Sequence, residues 1–293
     1  MPPELVPLAL QLLNALAFSM LLFQLAAGLS LIFGLLRFVN LAHGAFYMLG
    51  GYLGLALAQA SGSFWLALAG VPVGVGLAGL GLEVVLLRPL YRRPHLEQVL
   101  LTFGLAFVLG DVVRLLWGGE VRSVAPPPEL AGAAFLPGLG VGYPRYRLFV
   151  IASGLVLAGL FWLLQARTRL GAIVRAGVQD PEMVAALGID VGRLFTAVFA
   201  FGVGLAAYSG VIAAPYQSLQ LGMDFEALLL ALIVVVIGGL GTLRGAFFGA
   251  LLVGTADTFG KAAFPDYSLL VISALMAAVL ISRPAGLFGR SLG

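Results

Sequence analysis

The feature that most limits what this chain can become is its succession of long apolar runs. They fall at about 12–36, 45–60, 63–87, 99–117, 147–165, 193–214, 225–240, 246–261 and 267–282. In a helix, a run of roughly 20 such residues spans the ~30 Å of hydrocarbon in a bilayer. Within lipid each backbone polar group must be satisfied inside the structure, which makes helices the natural use of runs of this length. The runs predict an all-α, polytopic membrane protein with about nine transmembrane helices, two of them short or broken. Charged residues make up only 10% of the chain and hydrophobic ones 61%. A soluble domain carries about 25% charged residues, so a single water-soluble globule is excluded. No polar linker long enough to separate two domains interrupts the sequence, and one transmembrane domain over 1–293 is expected. The first run follows Met-Pro-Pro-Glu with no basic residue before it and no small-residue cleavage site soon after, and it reads as a span rather than a signal peptide.

Missing residue types narrow the chemistry. With no Cys, disulfides, iron–sulfur clusters and thiolate metal sites are excluded, and His43 and His95 are the only imidazoles. No metal site and no cofactor is expected. The sequence has no G-x-x-x-x-G-K-S/T segment to hold a nucleotide, so energy from ATP has to arrive through a partner. No nucleophile and base stand together as an intramembrane enzyme requires, and no catalytic residue is assigned.

Arg and Lys translocate poorly and mark the cytoplasmic side. Placing Arg37, Arg88, Arg92, Arg93, Arg167, Arg169, Arg175, Arg193, Arg244, Arg283 and Arg290 inside leaves Arg122, Arg145, Arg147 and Lys261 outside. This alternation predicts an external N-terminus and a cytoplasmic C-terminus. It also accounts for the basic balance without nucleic-acid binding, which is not expected.

Two polar insertions interrupt the spans. The external one, 118–146, holds Pro126, Pro127, Pro128, Pro137 and Pro144, so it is no regular helix and serves either as a solvated connection or as a docking surface. The cytoplasmic one, 166–192, encodes a short helix. Asp180 is placed as its N-cap, Pro181 suits the first helical position, Glu182 favours the dipole's positive end and Gly188 ends it. Met183 and Leu187 share one face, and a second short amphipathic segment, 170–178, precedes it beside Arg169 and Arg175. Helices this short need support. They rest either on headgroups and the protein's own spans or in a cleft of a cytoplasmic subunit.

The 40 Gly suit close helix approach in a membrane, with Gly50 and Gly54, Gly70 and Gly74, and Gly241, Gly245 and Gly249 spaced by four. Two breaks stand out: "RFVNLAHGAFYMLGGYLG" ahead of the second span and "GGLGTLRGAFFGALLVG" between the seventh and eighth. Interrupted helices in two halves mark transport sites, because freed backbone is tolerated only where it lines protein or a water-filled cavity. Asn40, His43, Gly44, Tyr47, Gly239, Gly241, Gly245 and Gly249 are the candidate translocation residues. The breaks resemble each other, His43–Tyr47 against Arg244–Phe248, and the arginine-based topology makes that repeat parallel. His43 is read either as a hydrogen-bonded packing residue or as a substrate or gate contact. Within the spans, Asp111 with Arg114, Asp257 with Lys261, and Glu83 with Arg88 are spaced to neutralise each other locally, the alternative being a proton relay.

From "LLRFVNLAHGAFYMLGGYLG" onward the chain resembles the LivH-type permeases of branched-chain amino-acid ABC importers, whose mark is N-x-A-H-G-E followed by Y-M-x-G-x-Y. The likeness continues through "LEVVLLRPLYRR", "TRLGAIVRAGVQDPEMVAALGIDVGRLFTAVFAFGVGLAAYSGVIAAP" and "VIGGLGTLRGAFFGALLVG" to "RPAGLFGR". It covers nearly the whole chain in order. The resemblance implies a subunit of a bacterial inner membrane, in contact with membrane lipid, that pairs with a LivM-type second permease, two cytoplasmic ATPases and a periplasmic substrate-binding protein to import a small molecule. It also implies that the stretch around Gly171, Arg175, Asp180, Ala185 and Gly188 is the loop that couples to the ATPase. One position departs: Ala45 stands where the family carries an acid. Related permeases carry urea, short amides or other amino acids. A proton-coupled secondary transporter using Asp111, Asp257 or His43 is the alternative reading of the residues.

Overall fold

The computed structural model describes residues 3–91, 93–138 and 140–289. Arg92 and Arg290, both counted above among the cytoplasmic basic residues, lie outside them. Eleven α-helices follow in order: α1 (Val6–Leu36), α2 (His43–Ser61), α3 (Phe64–Leu82), α4 (His95–Trp117), α5 (Arg145–Arg167), α6 (Arg169–Gln179), α7 (Pro181–Ala186), α8 (Val191–Tyr216), α9 (Met223–Gly238), α10 (Leu243–Ala263) and α11 (Ser268–Ser282). A π-helical turn at Glu83–Leu87 and a 3-10 turn at Arg88–Leu90 extend α3. The insertion 118–146 contains an antiparallel hairpin of β1 (Ala133–Leu136) and β2 (Val141–Pro144), with Ala133 opposite Pro144.

Each of the nine expected apolar runs lies in a helix, but the count of nine spans does not carry over. Among the described residues, six helices are long and apolar enough to cross a membrane alone: α1, α3 with its extension, α4, α5, α8 and the one ending at Ser282. Helices α9 and α10 qualify only together and are bent by 117° at their break. Helix α2 falls short because four Gly, two Tyr, His43, Gln59 and Ser61 dilute its 19 residues. Protein surrounds all but its far end, so it does not need an apolar surface for lipid.

Helices α1 and α8 are the buried axis of the bundle, while α4 and α11 mostly face outward. The two axial helices run antiparallel, with Gly28 against Gly202 and the Ser209 hydroxyl donating to the Leu21 carbonyl at 3.3 Å. Helix α3 packs along α8 through Gly76, Gly79 and Gly204, and α10 packs along α1 through Gly254 and Ser19. Gly70 and Gly74, expected to pack, have only Leu57 and nothing, respectively, within 4 Å.

Basic residues gather at one end of this bundle. There the Arg37 guanidinium donates to the Val178 carbonyl, Arg88 reaches Thr196 near the start of α8, and Gly241 sits on Gly34. At the opposite end Arg147 and Tyr143 meet Asn14, and Lys261 lies over the Phe18 ring. The chain order therefore repeats itself upside down. Helix α1 ends at the basic end, six residues (37–42) turn back, and α2 begins; α8 ends at the opposite end, six residues (217–222) turn back, and α9 begins. The repeat is inverted and pairs α1–α2 with α8–α9. The parallel repeat expected from His43–Tyr47 and Arg244–Phe248 is not the structural one.

Candidate translocation and coupling sites

The two returning links bring the starts of α2 and α9 together in the middle of the bundle. The His43 Nε2 donates to the Leu25 carbonyl at 3.0 Å, and its ring lies against Gly28. Leu25 is 11 residues, about 16 Å, from the basic end of α1. Gly28 in turn faces Gly202, which is 11 residues after the first residue of α8 and 14 before its last. His43 thus sits at mid-depth. Gly44 follows it there, and a Cβ on Gly44 would come 2.0 Å from the carbonyl oxygen of Asp224, in the first turn of α9.

Side chains on neighbouring elements hold this junction. The Asn40 Oδ1 accepts from the Ala42 amide at 3.1 Å, turning the link into α2. The Leu41 amide donates to the Thr102 hydroxyl at 3.2 Å, so α4 supplies the acceptor that an interrupted backbone needs. The Tyr47 hydroxyl accepts from Gln217 at 2.6 Å, tying α2 to the second link. His43 Nδ1 and Asn40 Nδ2 are fully buried with no hydrogen-bond partner among the described residues. Ala45 is buried at 1% exposure, so it faces the core. Thr102, Gln217, Asp224 and Glu226 were not singled out from sequence. A chain read one segment at a time gives no sign that residues 217–222 turn back to mid-depth.

The other candidate path residues lie elsewhere. Gly239 and Gly241 form the break between α9 and α10 at φ +104° and +75°, which only Gly adopts readily. Gly245 packs on Gly238, and Gly249 on Val234 and Gly238. The carbonyls of Ile237 and Gly238, freed at the end of α9, accept from Leu287 and Phe288 at 2.9 Å each. The "RPAGLFG" segment therefore closes the break. The structure brings Asn40, His43, Gly44 and Tyr47 together, and places Gly239, Gly241, Gly245 and Gly249 in a separate group at the basic end.

The insertion 166–192 folds as two capped helices. The Thr168 hydroxyl caps α6 by accepting from the Gly171 amide at 3.1 Å, and Gly171 lies so close to the Leu164 carbonyl that a Cβ would sit 2.3 Å away. Asp180 caps α7 by accepting from the Met183 amide at 2.9 Å, Pro181 is in its first turn, and Gly188 follows it at φ +82°. Val184 anchors α7 inward at 2% exposure, whereas Met183 is 59% and Leu187 73% exposed. Arg169, Arg175 and Ala185 are exposed on the same insertion.

Charged residues in the spans divide. Lys261 donates to Asp257 at 2.7 Å, as their spacing suggests. Glu83 is fully buried in the π-helical turn, 3.6 Å from Arg88, and accepts from Tyr91 and Thr196 at 2.6 Å each. Burial and the bond to Glu83 push the Tyr91 hydroxyl well above its ordinary range, which keeps it a donor. Asp111 and Arg114 do not form the expected pair within 4 Å; both lie on the exposed face of α4.

Similarity to known proteins agrees with this architecture. The family model described as branched-chain amino acid transport system / permease component matches residues 11–280. The chain is 30% identical to the high-affinity branched-chain amino acid transport system permease protein BraD of Pseudomonas aeruginosa, covering 98% of each chain. It is 27% identical to LivH of Escherichia coli, covering 96% of this chain and 95% of that one. To LivM of Salmonella typhimurium it is 28% identical over 92% of this chain and 68% of the other. No solved structure matches. A family match spanning nearly all the membrane helices, joined to an interrupted-helix bundle, makes this multi-pass chain a member of the branched-chain amino acid transport permease family, of LivH type and a subunit of an amino-acid importer.

Proposed function

We propose that the chain is one of two permeases in an ATP-driven importer of the bacterial inner membrane, and that its substrates are branched-chain or related amino acids. A LivM-type chain is the second permease. Two ABC ATPases bind at the basic end, and a periplasmic binding protein docks on the external insertion around β1–β2. An amino acid is a zwitterion and loses the hydration of both charges in hydrocarbon, at a cost of many kcal/mol, so it needs a polar route. The junction of α2 and α9 offers one at mid-depth.

The observation that carries the reading is α7. A six-residue helix is not stable alone, yet this one is capped, anchored by Val184 and leaves Met183 and Leu187 uncovered at the basic end. Such a surface suits a cleft on a cytoplasmic subunit. Helix α8 begins four residues after α7 and packs against α1, α2 and α3, so closure of the ATPases against α7 moves the axis that carries the junction. The test is uptake of radiolabelled leucine by the reconstituted complex. It should require hydrolysable ATP and survive an uncoupler; uptake that an uncoupler abolishes would establish a proton-coupled carrier instead.

A further inference from the structure

We propose that Glu226 is the carboxylate that meets the ammonium group of the passing amino acid, and that Phe103, Phe107 and Phe225 form the apolar collar for its side chain. The inference rests on the amino-acid import reading. Glu226 lies two residues beyond Asp224, whose backbone touches Gly44 at mid-depth, and α9 runs from there toward the basic end. Two residues advance a helix by about 3 Å, so Glu226 remains near the middle of the bundle. Asp224 turns inward and is 5% exposed, while Glu226 is exposed and has no hydrogen bond or ion pair among the described residues. A carboxylate directed into hydrocarbon at this depth is costly, and ionisable residues inside membranes face a bundle interior or a water-filled route. This face of α9 therefore borders an aqueous path shared with the second permease.

The surroundings set what that path selects. The Phe225 ring lies 6.2 Å from Phe103 and 5.8 Å from Phe107, and those two are 4.8 Å apart. All three rings are 39–52% exposed, so they form one uncovered aromatic surface across α4 and α9. An acid beside an aromatic surface fits a cation with an apolar body. An amino acid with an aliphatic side chain is such a molecule.

The test uses the complete complex in liposomes, with uptake by the parent read first. Glu226→Gln should leave assembly and the ATPase stimulation by loaded binding protein intact while lowering uptake about tenfold or more, the scale of one lost charge-assisted hydrogen bond. Glu226→Asp should recover most of it. Glu226→Cys, in a chain that otherwise has no Cys, should react with a water-soluble, membrane-impermeant thiol reagent, and substrate should slow the reaction. Uptake by the Gln variant within twofold of the parent would overturn the proposal and leave the import reading standing. So would a Glu226→Cys variant whose thiol reacts only with lipid-soluble reagents, or with none because the second permease covers it. A parent complex that takes up no amino acid with ATP would overturn both.

Discussion

A Cβ placed on Gly44 would lie 2.0 Å from a backbone oxygen, while one placed on Gly74 would meet nothing within 4 Å. The two positions look alike in sequence, each a glycine in a membrane helix. Gly44→Ala forces α2 and α9 apart and should cost on the order of 1–3 kcal/mol or more. Gly74→Ala should be neutral or slightly stabilising, since Ala is the better helix former by roughly 0.5–1 kcal/mol. Melting temperatures of the two variants in detergent test this directly, and a lowered value for Gly74→Ala would show that its face is covered. Spacing by four identifies a shared face but not what stands opposite, which is why it is a sound guide to packing at Gly50 and Gly54 and a poor one at Gly70 and Gly74. The same holds for charge. Asp257 and Lys261 pair within one helix and can be read from it, whereas Asp111 and Arg114 remain apart on the exposed face of α4.

At the scale of elements, α7 is legible because its start, anchor and end are written in adjacent residues. Thr168, which caps α6, is absent from the residues singled out above, although a Thr before an amphipathic run is the same kind of signal. If α7 transmits force from the ATPases, Met183→Asp puts a charge into an apolar cleft at a cost of a few kcal/mol. Gly188→Val opposes the left-handed turn that ends the helix. Both variants should insert normally and lose substrate-stimulated ATPase activity, the Met183 variant with loss of ATPase co-purification. Parental transport in both would leave α7 as a helix resting on lipid. The π-helical turn after α3 is not legible, since Thr196, one partner of its Glu83, is far away in the chain. Glu83 accepts from Tyr91 and Thr196 together, so Glu83→Ala leaves the Tyr91 hydroxyl without its acceptor, leaves Thr196 only the Gly192 carbonyl at 3.0 Å, and unpairs the half-exposed Arg88. We expect destabilisation of about 1–3 kcal/mol, with Glu83→Gln losing less because an amide oxygen still accepts. Thermal unfolding of the two variants side by side separates these outcomes.

At the scale of the whole molecule, the apolar runs dictate a helical membrane bundle, and Arg37 and Arg88 lie at the end opposite Arg147 and Lys261, as the alternation requires. The inverted repeat is hidden. Its second link, Gln217–Gly222, shares with the first only the type of its last four residues, Leu219-Gln220-Leu221-Gly222 against Val39-Asn40-Leu41-Ala42, which is too short to stand out, and the local likeness of His43–Tyr47 to Arg244–Phe248 points to the wrong pair. What relates α1–α2 to α8–α9 is the path of the chain, and that path also fixes which surfaces lie far apart. Phe135 projects from the β1–β2 hairpin at 68% exposure, next to the end where Tyr143 meets Asn14, while Met183 is exposed at the basic end. The proposed topology puts that end, with its excess of Arg, in the cytoplasm. Single cysteines at the two positions, in a chain with none of its own, should therefore label oppositely in intact cells. Phe135→Cys should react with a membrane-impermeant maleimide from outside, and Met183→Cys only after the membrane is opened. The reverse result would turn the bundle over and place α7 out of reach of any ATPase. Equal labelling of both from outside would contradict the placement of these residues at opposite ends.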